Sequence, residues 1–170
     1  LVAAGAELDE NLTVLARPVA TPAPADPSFA LRRALDPDTL RDHETVAIEA
    51  FGGEMPSDEW IAKEVTRLRG RFDTGQALSV VAYRDDEPVG IGGVSIADGF
   101  ARLWNGATTE SARRQGVYTA VTAARATFAR ERGARGLLTK ARVETSAPIL
   151  RRAGFTAYGE ERSYRFDVST

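Results

Sequence analysis

The sequence predicts a mixed α/β (α+β) domain: a largely antiparallel sheet of six or seven strands flanked by about four helices. Three observations predict it. Two segments of helical periodicity come before any long β-branched run, two such runs are then joined by a short charged turn, and the remainder alternates strand, helix, strand, helix, strand.

Taken in order, Asn11 to Ala16 (NLTVLA) fits a short strand, and the proline-rich text from Pro18 to Pro27 fits an extended linker, because prolines forbid helix. Residues 1–27 therefore read as an N-terminal extension, and residues 28–170 as the main domain. Residues 29–33 (FALRR) make a first core strand. Asp36-Pro37 supplies an N-cap followed by proline at the first helical position. The helix it opens places Leu40, Ala47, Ile48 and Phe51 on one side, and Gly52-Gly53 stops it. A second helix after Pro56-Ser57 carries Trp60, Ile61, Val65 and Leu68 at helical spacing.

The runs LSVVAY (78–83) and PVGIGGVSI (88–96) flank Arg84-Asp85-Asp86-Glu87, which signals a hairpin. Residues 100–109 continue the sheet. A long helix from Gly116 to Arg132 places Val117, Val121, Ala124 and Phe128 on one face, and Gly133 ends it. GLLTKARV (136–143) reads as a buried strand, a short helix over about 145–153 stops at Gly154, and residues 155–168 supply the closing strands.

Composition narrows the chemistry. The chain has 170 residues, 43% of them hydrophobic and 27% charged, enough for one real core. It has no cysteine and a single histidine, His43, so disulfides, thiolate metal sites, cysteine nucleophiles and His-rich centres are excluded. No metal is expected. No apolar run reaches the ~20 residues of a membrane span, and no basic-then-apolar leader follows Leu1. The expectation is a cytoplasmic domain, excerpted or trimmed because it opens on Leu1, working through carboxylates, hydroxyls, backbone groups or a bound cofactor.

The net charge of −2 hides an asymmetry: residues 1–100 carry 9 Lys+Arg against 18 Asp+Glu, and residues 101–170 carry 13 against 6. Such a division fits either a solvated surface or a protein that joins an anionic cofactor to a cationic acceptor. The sequence pI of about 5.6 argues against nucleic acid as the main partner.

The informative segment runs Thr108-Thr109-Glu110-Ser111-Ala112-Arg113-Arg114-Gln115-Gly116-Val117-Tyr118-Thr119 and opens the long helix. A helix start offers unpaired N–H groups and partial positive charge, glycine admits a bulky anion, and flanking arginines add charge-assisted hydrogen bonds. That is how a protein holds a pyrophosphate without a metal. Alone, the same text also fits a solvated turn.

This segment resembles the cofactor loop of the GNAT superfamily of N-acetyltransferases, Arg/Gln-x-x-Gly-x-Gly/Ala, in the form Arg113-x-x-Gly116-x-Tyr118. Thr145-Ser146-Ala147-Pro148-Ile149-Leu150-Arg151-Arg152-Ala153-Gly154-Phe155 is similar to the family's second signature, a short helix ending in Gly-Phe. The resemblance covers residues 28–168 and is most specific over 104–155. It implies acetyl-CoA as co-substrate, bound in a cleft between splayed central strands. It also implies backbone contacts from Thr108 and Thr109 to the pantetheine and thioester, and a pyrophosphate cradle formed by the N–H groups of Gln115, Gly116, Val117, Tyr118 and Thr119. Arg113 and Arg114 would assist, and Ser146 would meet the pantetheine arm. Simpler roles for these residues are sheet pairing for Thr108 and a helix cap for Ser146.

The chain departs from the family where protons are handled. Leu150 stands where members often carry an acidic Tyr, and Trp104-Asn105-Gly106 where many place a Glu. Glu54, in the loop Gly52–Pro56, is the candidate catalytic carboxylate, although a loop carboxylate is more often simply solvated. Glu110 is assigned to the following helix start. Tyr118 is either packed or near the sulfur. Tyr158 and Tyr164 are expected to be packed, His43 partly buried, and Trp104 in the core or lining the acceptor pocket.

The implied function is N-acetyl transfer from acetyl-CoA to a primary amine, a small molecule or a peptide, directly within a ternary complex; no Ser has a His partner for a covalent route. The alternatives are a non-catalytic acyl-CoA-binding sensor or regulatory module, and an interaction domain of a larger protein. Monomer and homodimer are both compatible.

Overall fold

The structure, a computed structural model, describes residues 6–19 and 28–166. In chain order its strands are β1 (Glu7–Pro18), β2 (Ala30–Arg33), β3 (Ala77–Arg84), β4 (Glu87–Ala97), β5 (Phe100–Thr108), β6 (Gly136–Arg142) and β7 (Thr156–Arg165). Its helices are α1 (Pro37–Phe51), α2 (Asp58–Asp73), α3 (Val117–Glu131) and α4 (Ser146–Arg152), with one 3-10 turn at Glu110–Ala112. Seven strands and four α-helices among the described residues match the predicted class. The proline-rich stretch at 20–27 lies outside the described residues. The chain divides into two compact units, residues 19–137 and residues 6–18 with 138–166.

In the larger unit the strands lie in the order β2-β3-β4-β5, antiparallel throughout. Asp85 and Asp86 both take positive φ, 50° and 63°, the geometry of a tight turn that matches the twist of the β3–β4 hairpin. Seven of the eight residues of β3 are buried, so both faces of that strand are covered. On one face, Val46 of α1 packs on Val81, Tyr83, Ile91 and Ala107. On the other face α3 comes close at Gly90 and Gly92. A β-carbon on Gly90 would sit 2.3 Å from Val117 Cγ1, and one on Gly92 2.7 Å from Val121 Cγ1. Glycine on β4 is what lets α3 lie so near the sheet.

The helix starts follow local chemistry. Asp36 accepts from the Thr39 N–H at 2.9 Å and opens α1; Ser57 accepts from the Trp60 N–H at 3.3 Å and opens α2. Gly52, at φ 81°, ends α1. The buried stripe of α1 differs from the one expected. Thr39, Leu40, His43 and Val46 are buried, Ala50 packs beside them, and Phe51 is 54% exposed. Successive helical residues turn by about 100°, which swings Phe51 away from the stripe that ends at Ala50.

The smaller unit places β6, β1 and β7 in that order, with β1 and β7 antiparallel. The strand expected at 11–16 therefore runs Glu7–Pro18, because β7 offers it a ladder of that length. The closing segment is one strand rather than several. Tyr158 on it is 73% exposed, not packed, because β7 leaves nearly all its side chains uncovered on both faces. Leu150 is buried in this unit, and Arg17 lies 4.9 Å over the Phe155 ring.

Candidate functional site

The end of β5, the 3-10 turn and the start of α3 form one continuous structure. Thr109 is pinned to β4: its N–H donates to the Val89 carbonyl at 3.0 Å, and its hydroxyl to the same oxygen at 3.4 Å. Its backbone donor is thus committed to the sheet. Thr108 differs. Its Oγ1 is buried and has no hydrogen-bond partner among the described residues, an arrangement a folded chain rarely leaves without a ligand or water to complete it. The turn that follows is held from α1, where Glu49 Oε1 accepts from the Glu110 N–H at 2.7 Å. Glu110 also lies 3.8 Å from Arg113, so it serves the approach to the helix, as expected.

At the helix start Gly116 takes φ 89° and Arg114 takes φ 63°, both left-handed. The first intrahelical bond is Ala120 N–H to Gly116 O at 3.0 Å, and no side chain caps the turn. The N–H groups of Val117, Tyr118 and Thr119 therefore open the helix without intrahelical acceptors. Arg113, Arg114, Gln115 and Gly116 are exposed around them. Gln115 is braced from two sides, accepting from Arg84 and donating to the Ser111 carbonyl at 2.8 Å. Exposed guanidinium groups, an uncapped helix start and an orphaned Thr108 hydroxyl suit a long anionic ligand carrying a phosphate group.

Behind this turn Tyr118 is half-buried, packed over Gly106, with the Arg125 guanidinium 5.8 Å from its ring centroid. Arg125 is 1% exposed and makes no ion pair with a carboxylate among the described residues. Its guanidinium donates instead to Thr122 Oγ1 at 3.0 Å and to the carbonyls of Val121, Gly93 and Trp104 at 3.4–3.5 Å. Burial holds its pKa below the ordinary arginine value, opposed by Tyr118.

Across the sheet, β5 gains one residue against β4. Ile91 pairs with Ala107 but Gly93 with Trp104, so Asn105 and Gly106 together face Gly92, and Asn105 takes φ 46°. This bulge re-aims Trp104 and Asn105 into a cavity of about 280 Å³ shared with His43, Glu44, Trp60 and Glu64. Trp104 lies over Gly93, where a β-carbon would meet the ring at 2.3 Å. His43 is 4% exposed; its Nδ1 is 3.0 Å from Glu44 Oε1, and its Nε2 is buried without a partner. Glu64 is paired with Arg67, whose Nε donates at 2.7 Å.

The remaining candidates stand apart from this cavity. Glu54 is exposed and not among the residues that line it. Exposed Phe51, Met55 and Trp60 flank Glu54 in sequence. Ser146 lies in the smaller unit, where its hydroxyl accepts from the Arg142 N–H at 3.0 Å. Glu49, Arg84 and Arg125 carry no local sequence mark of their roles, whereas the adjacency of His43 and Glu44 was visible. Among the described residues no cluster of three or more His, Asp or Glu could hold a metal, and no helix is long and apolar enough to cross a membrane.

Residues 40–155 match the sequence model of a family described as the acetyltransferase (GNAT) family, well over half of the chain. No curated protein matches in sequence. Among solved structures, a GCN5-related N-acetyltransferase from Kribbella flavida superposes with TM-score 0.67 at 19% identity, over 96% of this chain and 60% of its own. One from Sphaerobacter thermophilus gives 0.68 at 21% identity, over 96% and 54%. Glucosamine-6-phosphate N-acetyltransferase from Arabidopsis thaliana gives 0.68 at 15%, over 82% and 99%. The chain thus spans 54–66% of the length of the first-ranked structures, except where that length is close to its own.

Proposed function

The chain belongs to the acetyltransferase (GNAT) family, and on that premise we propose that it moves an acetyl group from acetyl-CoA to a primary amine by direct transfer in a ternary complex. The observation that carries the reading is the uncapped start of α3, entered through left-handed Gly116 and flanked by exposed Arg113 and Arg114. Backbone N–H groups from Gln115 to Thr119 hold the pyrophosphate, and the helix dipole favours its charge. The orphaned Thr108 hydroxyl donates to the arm or the thioester region.

Acetyl-CoA supplies the acyl carbon. The amine lone pair forms the C–N bond, the C–S bond breaks, and the departing sulfur takes a proton from the attacking nitrogen. Arg125, buried behind β5 and without a carboxylate partner among the described residues, contributes fixed positive charge beside Tyr118. Glu54 is the loop carboxylate available to an approaching cationic amine, and Ser146 a contact for the arm.

A second reading, a non-catalytic acyl-CoA-binding module, is favoured by Leu150, which is buried at the position of the usual acid. Acetyl-CoA titration followed by turnover assays with amines separates the two. Binding with turnover supports the transferase; binding without turnover supports the module. No binding removes both. The acceptor is a small-molecule or peptide amine, and a cytoplasmic setting is part of the same proposal.

A further inference from the structure

Resting on the transferase reading, we propose that the cavity bounded by α1, α2 and β5 receives the cationic amine, and that His43 takes its proton at Nε2 with Glu44 as the positioning residue.

Four observations converge. First, Nε2 of His43, a residue 4% exposed that lines the cavity, is buried with no hydrogen-bond partner among the described residues. An imidazole nitrogen in that state marks the place of a missing ligand. Second, Glu44 lies 3.0 Å from Nδ1. With the proton on Nδ1 donated to that carboxylate, Nε2 holds a free lone pair, and the same carboxylate stabilises the imidazolium once it forms.

Third, the cavity chemistry selects a cation. Glu44 and Glu64 line it together with Arg67, Glu64 being paired with Arg67 and Glu44 with His43 Nδ1, and Trp60 and Trp104 line it with aromatic side chains, groups that attract an ammonium. The volume of about 280 Å³ is that of roughly nine waters, enough for a small alkylamine. Fourth, the cavity and the proposed acyl site are built on one strand: Asn105, which lines the cavity, and Thr108 both belong to β5.

The step balances as follows. The ammonium R–NH3+ gives one proton to His43 Nε2 and becomes R–NH2. Its lone pair forms the C–N bond and the C–S bond breaks. The second nitrogen proton goes to sulfur as CoA-SH, and the imidazolium returns its proton to water. Among the described residues that line the cavity, the charged groups beside His43 are Glu44 of α1 and Glu64 and Arg67 of α2, and β3 and β5 contribute neutral Ser79, Trp104 and Asn105.

The test uses cadaverine and benzylamine as probes, with glycine as the carboxylate-bearing comparison. The chain has two tryptophans and both line the cavity, so intrinsic fluorescence reports amine entry directly. Cadaverine and benzylamine are expected to shift it saturably, and glycine is not. His43→Gln should lower kcat at pH 7 by about 100-fold or more while acetyl-CoA affinity stays within twofold. The deficit should shrink as pH rises toward 10, where the amine arrives already neutral. Glu44→Gln should give a smaller loss with the same pH trend, which a merely structural role would not produce.

Acetyl-CoA binding with unchanged kcat in His43→Gln overturns the inference, as does a deficit constant from pH 7 to 10. Acetyl-CoA binding without any fluorescence response or turnover also overturns it. Failure of the intact chain to bind acetyl-CoA refutes instead the transferase reading beneath it.

Discussion

Gly90→Ala tests whether the position of the α3 start governs cofactor binding. The added methyl would sit 2.3 Å from Val117 Cγ1, where ordinary contact begins at 3.4 Å, so the first helical residue must retreat by about 1.1 Å. Overpacking of this kind costs about 1–3 kcal/mol of stability. A displacement near 1 Å in a positioned binding group costs on the order of 10–100-fold in its function. Gly92→Ala is the control. Its methyl would meet Val121 at 2.7 Å and Arg125 at 2.9 Å, one turn farther along α3. It should cost comparable stability and leave the helix start in place. Urea unfolding measures the first quantity and acetyl-CoA calorimetry the second. The expected pattern is similar destabilisation in both variants, with a large affinity loss only in Gly90→Ala. Equal affinity losses, or unchanged binding in Gly90→Ala, would refute the reasoning.

Other predictions concern stability. Asp36→Ala should cost about 1 kcal/mol through the lost α1 cap, read by thermal or urea unfolding. Although burial pushes the Asp36 carboxyl up, hydrogen bonds from the Thr39 N–H and hydroxyl outweigh this and hold it below its ordinary value of 3.8. Its folded pKa lies below its unfolded one, so this stabilisation is complete above about pH 4–5 and fades as pH falls through the folded value. Asp36→Asn should keep most of the cap and flatten the acid limb of the stability profile. Arg125→Met should change stability by less than about 1.5 kcal/mol, because relief of a buried charge offsets the orphaned carbonyls of Gly93 and Trp104. Arg125→Ala, which leaves a cavity as well, should cost about 3–5 kcal/mol. Equal losses in the two arginine variants would contradict this account.

Much of the fold was legible because its signals are local. Asp36-Pro37, Ser57, the Asp85-Asp86 turn, Gly116 and Gly133 each act within a few residues, and the elements they bound fall within one or two residues of expectation. The start of α3 was legible for the same reason. What stayed hidden depends on partners distant in sequence. Arg125 lies on a helix whose apolar spacing gives no hint of a buried cation; it is accommodated because Gly92 and Gly106, on two different strands, make room. The bulge at Asn105 follows from the register of β5 against β4, which a single strand cannot announce. His43 was expected to be partly buried, but its Nε2 has meaning only once α2 and β5 enclose a cavity around it. The full length of β1 follows from the ladder supplied by β7, more than a hundred residues later.

The central claim is that the glycine-entered start of α3 binds the anionic part of acetyl-CoA. Its most direct test is calorimetric titration of acetyl-CoA into the unmodified chain and into Gly116→Glu. The variant places a carboxylate and a strained left-handed residue, about 1–2 kcal/mol of strain, where the pyrophosphate should lie. The account predicts micromolar binding to the unmodified chain and none to a variant that still unfolds cooperatively. Equal binding by both would contradict the assignment of the loop, and no binding to the unmodified chain would contradict the acetyltransferase reading itself.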